Sequence, residues 1–433
     1  MIELSRSLTR VQATAMVAGT IIGASIFVQP SVVTGAVPSV GGVFAVWIVA
    51  GVLTLAGALI TAELAAAVPD SGGVYAFLRE AYSPAAGFLW AWAMFWSMHS
   101  GIIAALAVIF ARYVGYFVPL GDAGIRLVAV GAILGLSAVN YIGVAFGSGL
   151  QAAVTIAKVA AIAALLAVGF WLGADLPAHY VGADAAADVS VAKFAAAVSA
   201  GLFAFGGWHM VAYTAEETRD PERTLPRALV IGTLTVTAAY VALNALYLYI
   251  LPLDRVAHSE RIAADAADAL VGGGGAALMS ALVVGSTFGA LCGIVLVGPR
   301  VYYALARDGL LFRWVGAVHP RFQTPHRAIV LQAVWSAVLV ATGTYRALFT
   351  RVVYTEWIFF AAMAVGLLLL RRRPGYAPAY RVRGGAAVPL LFAGAAAFVA
   401  LSQIVAEPAN SAVGLLIVLA GLPVFALTRR NAS

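Results

Sequence analysis

Charged residues are scarce in this sequence. Only 10% of its 433 residues are Asp, Glu, Lys or Arg, whereas 63% are apolar, and the mean hydropathy is +0.96. A soluble globular domain needs roughly 25% charged residues because its surface must face water. The composition therefore excludes a soluble enzyme and a soluble nucleic-acid-binding protein, even though the net charge is +7.

Cysteine is almost missing as well. Cys292 is the single cysteine, so no intramolecular disulfide can form and a secreted disulfide scaffold is excluded. The six histidines are scattered, and no partner ligand has the spacing of a metal site. The sequence also lacks the GxxxxGKT motif that cradles the phosphates of ATP. We therefore expect no enzymatic activity, no metal and no cofactor.

Long hydrophobic runs dominate instead. A helix needs about 20 mostly apolar residues to cross a bilayer, and twelve segments of this kind leave no room for a separate soluble domain. The sequence therefore predicts an all-α integral membrane protein that forms a single transporter-sized domain over residues 1–433. The predicted spans are residues 11–36, 41–67, 85–113, 124–142, 149–172, 192–215, 228–251, 276–305, 327–344, 350–370, 386–406 and 411–428.

The distribution of basic residues orients these spans. With the N-terminus inside, 17 basic residues fall in cytoplasmic segments and 7 in outer segments. Cytoplasmic loops of membrane proteins carry the excess of Lys and Arg. We therefore expect a multi-pass protein of the cell membrane with both termini in the cytoplasm.

The apolar pattern breaks in the middle of the first span. Residues 19–27 read GTIIGASIF, so two glycines and two hydroxyl side chains lie at mid-span, and Pro30 follows. Glycine in a helix interior costs about 1 kcal/mol relative to alanine. Taken alone, this break is equally typical of close helix packing through small residues.

A second break lies in the sixth span, where Gly206 and Gly207 precede Trp208 and His209. The first and sixth spans are five helices apart. Interrupted helices at corresponding positions of two inverted repeats are the best sequence indication of a transporter site near the bilayer midplane. The two breaks together therefore favour a transporter over a packing role.

An unwound helix favours a zwitterionic ligand. Where a helix unwinds, backbone N–H and C=O groups lose their partners, which lipid tolerates only around a cavity or a ligand. The N–H groups and the dipole at the start of one half-helix suit a carboxylate. The C=O groups at the end of the other half suit an ammonium. An α-amino acid carries both charges in one small head group.

Five motifs in order carry a resemblance over nearly the whole chain. They are GTIIGASIFV at the first break, ELAAAVPDSGGVYAFLREAYSP after span 2, LFAFGGWHMVAYTAEETRDPERTLPRAL at span 6, ARDGLLFRWVGAVHPRFQTP after span 8 and RRRPGYAPAYRV after span 10. With them the sequence resembles the amino acid–polyamine–organocation superfamily, and within it the L-type amino acid transporters and their bacterial relatives.

The resemblance implies a LeuT-like fold of five-plus-five inverted repeats, at about 11–172 and 192–370, with two further helices at about 386–428. It also implies that the substrate carboxylate meets the N–H groups of Ala24 and Ser25, and that the ammonium meets the carbonyls of Ile21, Phe203 and Gly206. The residues expected to contact substrate are Ile21, Gly23, Ala24, Ser25, Ile26, Phe203, Ala204, Phe205, Gly206 and His209.

Two of these residues have a further implied role. Phe203 matches the aromatic residue that closes the site as a gate, and His209 is expected to line the pocket near the substrate side chain. Ala24 and Ser25 replace a Ser-Gly pair of the related transporters, which adds a side chain and predicts a tighter pocket.

Lys158 lies in the middle of the fifth span. A charge at the bilayer centre costs at least about 2.5–3.5 kcal/mol, so a functional role is the default interpretation. Related transporters place a lysine here instead of a sodium ion, holding span 1 against span 8, where Ser286 and Thr287 lie near the sodium-binding region. The resemblance therefore predicts sodium-independent transport, with Lys158 either as a permanently charged strut or as part of proton coupling.

Other ionisable residues lie near the ends or within the spans. Glu356 is expected to pair with Arg351 at the interface, although it could line an outer vestibule. Glu63 and the glutamate pair at 216–217 lie near cytoplasmic ends, where we expect them to pair with arginines and lock an inner gate. His99 in span 3 faces either the pocket or a neighbouring helix.

The expected function is sodium-independent, secondary-active transport of neutral L-amino acids by alternating access, as an exchanger or a proton-coupled symporter. Substrate would bind between spans 1 and 6, with spans 3, 8 and 10 completing the pocket. The alternative is a cationic amino acid or polyamine antiporter, which Glu356 would support. A channel or a non-transporting receptor is the rival from another class. The expected partners are an L-amino acid and the lipid bilayer, not nucleic acid, and the oligomeric state is not indicated.

Overall fold

The computed structural model describes residues 4–173, 189–259, 261–272 and 274–430. Over these residues no β-strand occurs, and a single β-bridge pairs Leu8 with Thr218. The helices are α1 (Arg10–Ile21), α2 (Gln29–Ala36), α3 (Val40–Ala67), α4 (Val74–Ala81), α5 (Pro84–Ala93), α6 (His99–Val114), α7 (Asp122–Tyr141), α8 (Val144–Leu172), α9 (Val191–Ala204), α10 (Pro221–Ile250), α11 (Leu253–His258), α12 (Ile262–Val271), α13 (Gly275–Val297), α14 (Pro299–Arg307), α15 (His326–Thr342), α16 (Tyr345–Leu370), α17 (Ala387–Ala406), α18 (Pro408–Leu419) and α19 (Gly421–Arg430). Short 3-10 helices cover Ser25–Phe27, Trp208–Glu217 and Arg313–Gly316, and a π-helical turn, Met94–Met98, joins α5 to α6.

Ten stretches in the described ranges are long and apolar enough to cross a membrane. They are Val40–Ala67, Pro84–Val114, Asp122–Tyr141, Val144–Leu172, Val191–Glu217, Pro221–Ile250, Gly275–Arg307, Arg351–Leu370, Ala387–Ala406 and Pro408–Thr428. The other two predicted spans take a different form. Residues 11–36 are divided between α1 and α2, and α15 has only 17 residues.

Several short helices were not predicted from the sequence. α4 lies between the second and third spans, and α11 and α12 lie between the seventh and eighth. Each is too short to show a clear hydrophobic period against the strongly apolar background.

α1 has a well-defined start and an early end. The Thr9 hydroxyl accepts the N–H of Gln12, and the Gln12 side chain accepts the N–H of Thr9 at 2.9 Å, which forms a capping box. The helix ends because Ile22 adopts a ψ of 88°, outside the helical region. Pro30 lies in the first turn of α2, where the missing N–H is tolerated. The unwound segment thus lies between two independently stabilised helices.

The broken helix α1 lies inside the bundle. It packs against α8, α10 and α13. Eight of its twelve residues are buried, and they are Ala13, Ala15, Met16, Val17, Ala18, Gly19, Thr20 and Ile21. Apart from Val11 at the start of α1, the large exposed apolar side chains of the described residues lie outside this helix, for example Leu127 on α7 and Phe146 on α8. The bundle therefore surrounds the unwound backbone with protein and presents apolar side chains outward, as lipid requires.

Candidate substrate site

The two helix breaks touch each other. α9 ends at Ala204, and Gly207 adopts a φ of +100°, which a side chain would strain. A Cβ atom at Gly207 would lie 3.1 Å from the carbonyl oxygen of Thr20. The Thr20 hydroxyl donates a hydrogen bond of 3.2 Å to the Gly207 carbonyl. Glycine is therefore required here both for the backbone turn and for the close approach of α1.

A cavity of about 170 Å³ lies where the breaks meet. From the first break it is lined by Thr20, Ile21, Gly23, Ala24 and Ser25, and from the second by Leu202, Phe203, Ala204, Gly206, Gly207, Trp208 and Met210. The other lining residues are Ile102, Ala105, Leu106, Ile109, Ala290, Ile294, Val353, Glu356, Trp357 and Phe360. They lie on α6, α13 and α16, which correspond to spans 3, 8 and 10 of the sequence analysis. Its wall is mostly apolar, and among the residues that the structure describes Glu356 contributes the one ionisable side chain.

Three residues expected to contact substrate do not line this cavity. Ile26 is fully buried outside it. The Phe205 ring packs against Tyr240, with ring centroids 4.9 Å apart, and against Trp47. His209 is also absent from the wall. The irregular turns at the breaks rotate these side chains into the protein, which sequence spacing alone does not predict.

His209 lies behind the cavity wall in an aromatic cluster. Its ring is 4.8 Å from that of Phe360 and 5.9 Å from that of Trp90, and its side chain is 1% exposed. Neither ring nitrogen has a hydrogen-bond partner in the described part of the chain. His209 was expected to line the pocket, and the structure places it behind the wall of this cavity. Its Nε2 atom instead lies 3.7 Å from a carboxylate oxygen of Glu356.

Glu356 lines the cavity and does not pair with Arg351. Its side chain is 13% exposed. Arg351 donates instead to the amide oxygen of Asn410 at 3.2 Å. The expected interface ion pair is thus wrong, and the vestibule alternative is closer to the structure. The 3.7 Å separation from His209 is too long for a hydrogen bond, so the carboxylate remains available to a ligand.

The backbone at the first break presents N–H groups. Ser25 is the first residue of a 3-10 helix, so its N–H and that of Ala24 have no acceptor within that helix. Both residues line the cavity. The N-terminus of a helical turn is a favourable position for an anion.

Two of the three carbonyls expected to meet an ammonium, those of Ile21 and Phe203, already have protein donors. The Tyr240 hydroxyl lies 3.1 Å from the carbonyl oxygens of both Ile21 and Ala204. The Phe203 carbonyl accepts the N–H of Gly206 at 3.2 Å. Each carbonyl oxygen has two lone pairs, so a second donor can still bind. Tyr240 therefore ties the two breaks together without closing the site.

Lys158 reaches the unwound segment from α8. Its Nζ donates to the carbonyl of Ile22 at 2.5 Å and to that of Gly19 at 3.3 Å, and the side chain is buried. From α13, the Ser286 hydroxyl lies 3.1 Å from the Gly23 carbonyl. Thr287 donates to its own helix backbone, at 2.7 Å from the Val283 carbonyl. Lys158 and Ser286, but not Thr287, thus hold the carbonyl end of α1 between α8 and α13.

His99 faces a neighbouring helix. Its Nε2 lies 2.9 Å from the carbonyl oxygen of Ile294 on α13, and the ring is fully buried. Ile294 lines the cavity, so His99 lies one layer behind the wall. Of the two alternatives for this residue, the structure supports the helix contact.

Ion pairs cluster at one end of the bundle. Glu217 accepts two hydrogen bonds from Arg300, at 2.6 and 2.8 Å, and both side chains are fully buried. Glu63 accepts the Nε of Arg371 at 2.8 Å and the Tyr376 hydroxyl at 3.1 Å. Burial, and then the neighbouring Glu63 carboxylate, raise the pKa of Tyr376, so it stays a neutral donor.

The same end carries more exposed pairs. Arg307 contacts Glu216 at 2.8 Å, and Arg79 contacts both Asp308 and Asp70. Next to them, the N-terminal segment is tied down. The N–H of Leu8 donates to the Glu217 carbonyl at 2.9 Å. The glutamates expected to pair with arginines do so. Glu216 and Glu217 join the segment after the second break to α14, and Glu63 joins α3 to Arg371 at the end of α16.

The sequence profile of the amino acid permease family matches residues 8–426. The chain belongs to the amino acid permease family. This permease is 33% identical to the serine/threonine exchanger SteT of Bacillus subtilis (strain 168), with 96% of each chain covered. It is 30% identical to the mouse Asc-type amino acid transporter 1, over 98% of this chain and 82% of the relative. It is 27% identical to the human cystine/glutamate transporter, over 98% of this chain and 86% of the relative.

Membership confirms the superfamily that the sequence motifs indicated. It also confirms a multi-pass, all-α membrane transporter rather than an enzyme. Two features of this permease were missed by sequence reasoning. Tyr240 lies in the mostly apolar second half of α10, where a buried hydroxyl needs a partner, and this was the available signal. Trp357 and Phe360 line the cavity beside Glu356. Nothing in the local sequence pattern distinguishes these two aromatic residues from aromatic residues that face lipid.

Proposed function

We propose that this permease exchanges small neutral L-amino acids by alternating access. The observation that carries the proposal is the contact between two broken helices around one cavity. The N–H groups of Ala24 and Ser25 face a carboxylate there, and the carbonyls of Ile21, Phe203 and Gly206 face an ammonium. The similarity to a serine/threonine exchanger over 96% of both chains supports exchange and small side chains.

The proposed architecture is one domain of twelve spans. Residues 11–172 and 192–370 form two inverted repeats, and two C-terminal helices follow. The interruption after Ile21 and the one after Ala204 support this arrangement, because they fall five spans apart and meet in space. Both termini lie in the cytoplasm, as the excess of basic residues in the segments on the same side as the termini indicates.

Transport is proposed to be independent of sodium. The Lys158 ammonium contacts the carbonyls of Gly19 and Ile22, so a positive charge already compensates the unwound end of α1. A cation at this point would meet the ammonium at close range, and like charges repel strongly in a low-dielectric interior.

Substrate binding requires both charges of the head group. Without a carboxylate the N–H groups of Ala24 and Ser25 stay unpaired, and each buried unpaired group costs about 1–3 kcal/mol. Omission of either charge therefore weakens binding about tenfold or more. The test measures exchange of labelled L-serine in proteoliposomes, with ethanolamine and 3-hydroxypropionate as competitors. Neither should compete well.

A contrary result has a defined meaning. If ethanolamine competes as well as unlabelled L-serine, the carboxylate assignment is wrong and a polyamine antiporter becomes the better description. If an electrical recording shows currents that do not saturate with substrate, the protein is a channel.

A second candidate class is cationic amino acids. Glu356 lines the cavity with a carboxylate that has no arginine or lysine partner among the described residues. A side-chain ammonium would neutralise it, whereas a serine or threonine hydroxyl would donate a hydrogen bond to it. Competition of L-ornithine and L-threonine against labelled L-serine separates the classes, because only the second class predicts that L-ornithine binds more tightly.

A further inference from the structure

A second cleft, of about 690 Å³, lies at the end of the bundle where the ion pairs cluster. Its walls are the first turns of α10, part of α3 and the segment between α16 and α17. It shares no lining residue with the substrate cavity. It is therefore a separate site, which the transport proposal does not use.

The charges in this cleft are unbalanced. Four exposed arginines line it, and they are Arg223, Arg227, Arg381 and Arg383. One carboxylate, that of Glu222, lies among them. None of the four arginines has an ion-pair partner within 4.0 Å among the residues described, whereas neighbouring arginines of the segment after α16 are paired. The cleft thus concentrates positive charge that the described part of the protein does not fully neutralise.

The helical register places an apolar surface directly beyond these charges. Arg223 and Arg227 are one turn apart on α10, and Ile231 and Leu234 continue the same face. The two apolar side chains are 47% and 49% exposed. α10 is long and apolar enough to span the membrane, so its exposed apolar face meets acyl chains. Charge at the helix end and apolar surface further along match the shape of a phospholipid.

We propose that this cleft binds the phosphate headgroup of an anionic phospholipid. The guanidinium groups surround the phosphate, and an acyl chain lies along α10 over Ile231 and Leu234. Arginine suits this role because its planar fork donates paired hydrogen bonds to phosphate oxygens. Basic pockets between membrane helices bind anionic headgroups in this way. A soluble phosphate or phosphopeptide would leave the apolar face unused.

The test is native mass spectrometry of the delipidated full-length protein. Phosphatidylglycerol and phosphatidylcholine with identical acyl chains are titrated against wild type and Arg223→Gln/Arg227→Gln. We expect wild type to prefer phosphatidylglycerol, and the double variant to bind it about tenfold more weakly or worse. Phosphatidylcholine binding should not change. The matched control is Arg313→Gln/Arg321→Gln, which removes two exposed arginines outside the cleft and should behave as wild type.

Three results would overturn the proposal. They are equal binding of the two lipids by wild type, an equal loss in the control variant, and displacement of phosphatidylglycerol by inorganic phosphate at the same concentration. The last result would identify a free-anion site. If Arg223→Gln/Arg227→Gln does not fold, Arg381→Gln/Arg383→Gln changes only the segment between the helices and should give the same loss.

Discussion

Lys158 illustrates how one side chain stabilises unwound backbone. Its ammonium holds the carbonyls of Gly19 and Ile22, which lose their intrahelical donors where α1 ends. In Lys158→Ala the Gly19 carbonyl loses this donor, and the Ile22 carbonyl keeps only the Ser286 hydroxyl at 3.3 Å. A buried carbonyl left unpaired costs about 1–3 kcal/mol. We expect uptake of labelled L-serine into proteoliposomes to fall more than tenfold while the purified protein remains folded.

The control is Lys193→Ala, which removes the other, exposed lysine of the chain and should transport normally. Wild-type uptake should also persist when choline replaces sodium at constant pH. Collapse of uptake in choline would contradict the strut role of Lys158.

We expect Glu356 to determine which substrate side chains the proposed site prefers. Glu356→Gln keeps the shape and removes the charge, so a substrate hydroxyl loses a charge-assisted hydrogen bond worth about 1.5–3 kcal/mol. L-Serine should lose about tenfold or more in affinity, whereas L-alanine should change little. Isothermal titration of both ligands checks this. Equal losses of affinity for L-serine and L-alanine would show that Glu356 supports the fold rather than recognising the side chain of the substrate.

Phe203 lines the cavity and is 46% exposed, and we propose that its ring covers a bound substrate as a gate. Phe203→Ala should lower the rate of L-serine exchange more than it lowers L-serine affinity, because closure depends on the ring. Phe146→Ala removes an exposed ring on α8 and serves as the control. Unchanged exchange in Phe203→Ala would reject the gate role.

At the scale of elements, the second break depends on Gly207. Alanine at a φ of +100° is strained by roughly 1–2 kcal/mol, and its Cβ would crowd the Thr20 carbonyl at 3.1 Å. Gly207→Ala should therefore lower the melting temperature and transport together. Gly131→Ala on α7 is the matched control, because a Cβ there meets open space. A thermal melt of both variants in detergent tests this; equal melting temperatures would show that the break tolerates a side chain.

At the scale of the whole molecule, ion pairs of different burial cluster at one end, and we expect them to keep that end closed. Glu217 and Arg300 are fully buried, whereas Glu80 and Arg373 are 45% and 47% exposed. Removal of one partner of a buried pair costs about 3–5 kcal/mol, because the other charge stays buried. An exposed pair contributes about 0–1 kcal/mol.

Glu217→Gln should therefore destabilise the protein strongly and open the ion-paired end, and Glu80→Gln should do neither. Cysteine accessibility reports the opening: Ala304→Cys, next to this cluster on α14, should react with a soluble maleimide only in the Glu217→Gln background. The buried Cys292 is replaced by serine in all variants. Equal labelling in both backgrounds would mean that the Glu217–Arg300 pair does not keep this end shut.

Local pattern was sufficient for some parts of the site and not for others. The breaks at 19–27 and at Gly206 and Gly207 are visible because glycine and hydroxyl residues interrupt an apolar run. Lys158 is visible because a buried charge is expensive. His209 and Glu356 were misplaced, because their environment depends on how far each helix is rotated about its axis. A hydropathy pattern with apolar residues on all sides does not reveal that rotation.

The sequence by itself determined that this chain is a helical membrane protein, where its helices break, and which family it belongs to. These properties depend on composition and on short motifs, which act locally. Only the tertiary structure decided which side chains form the cavity. Tyr240 joins Ile21 to Ala204, and His209 approaches Glu356, across large sequence separations. Such contacts arise from the packing of whole helices, in which a rotation of one helix changes every side chain that it presents.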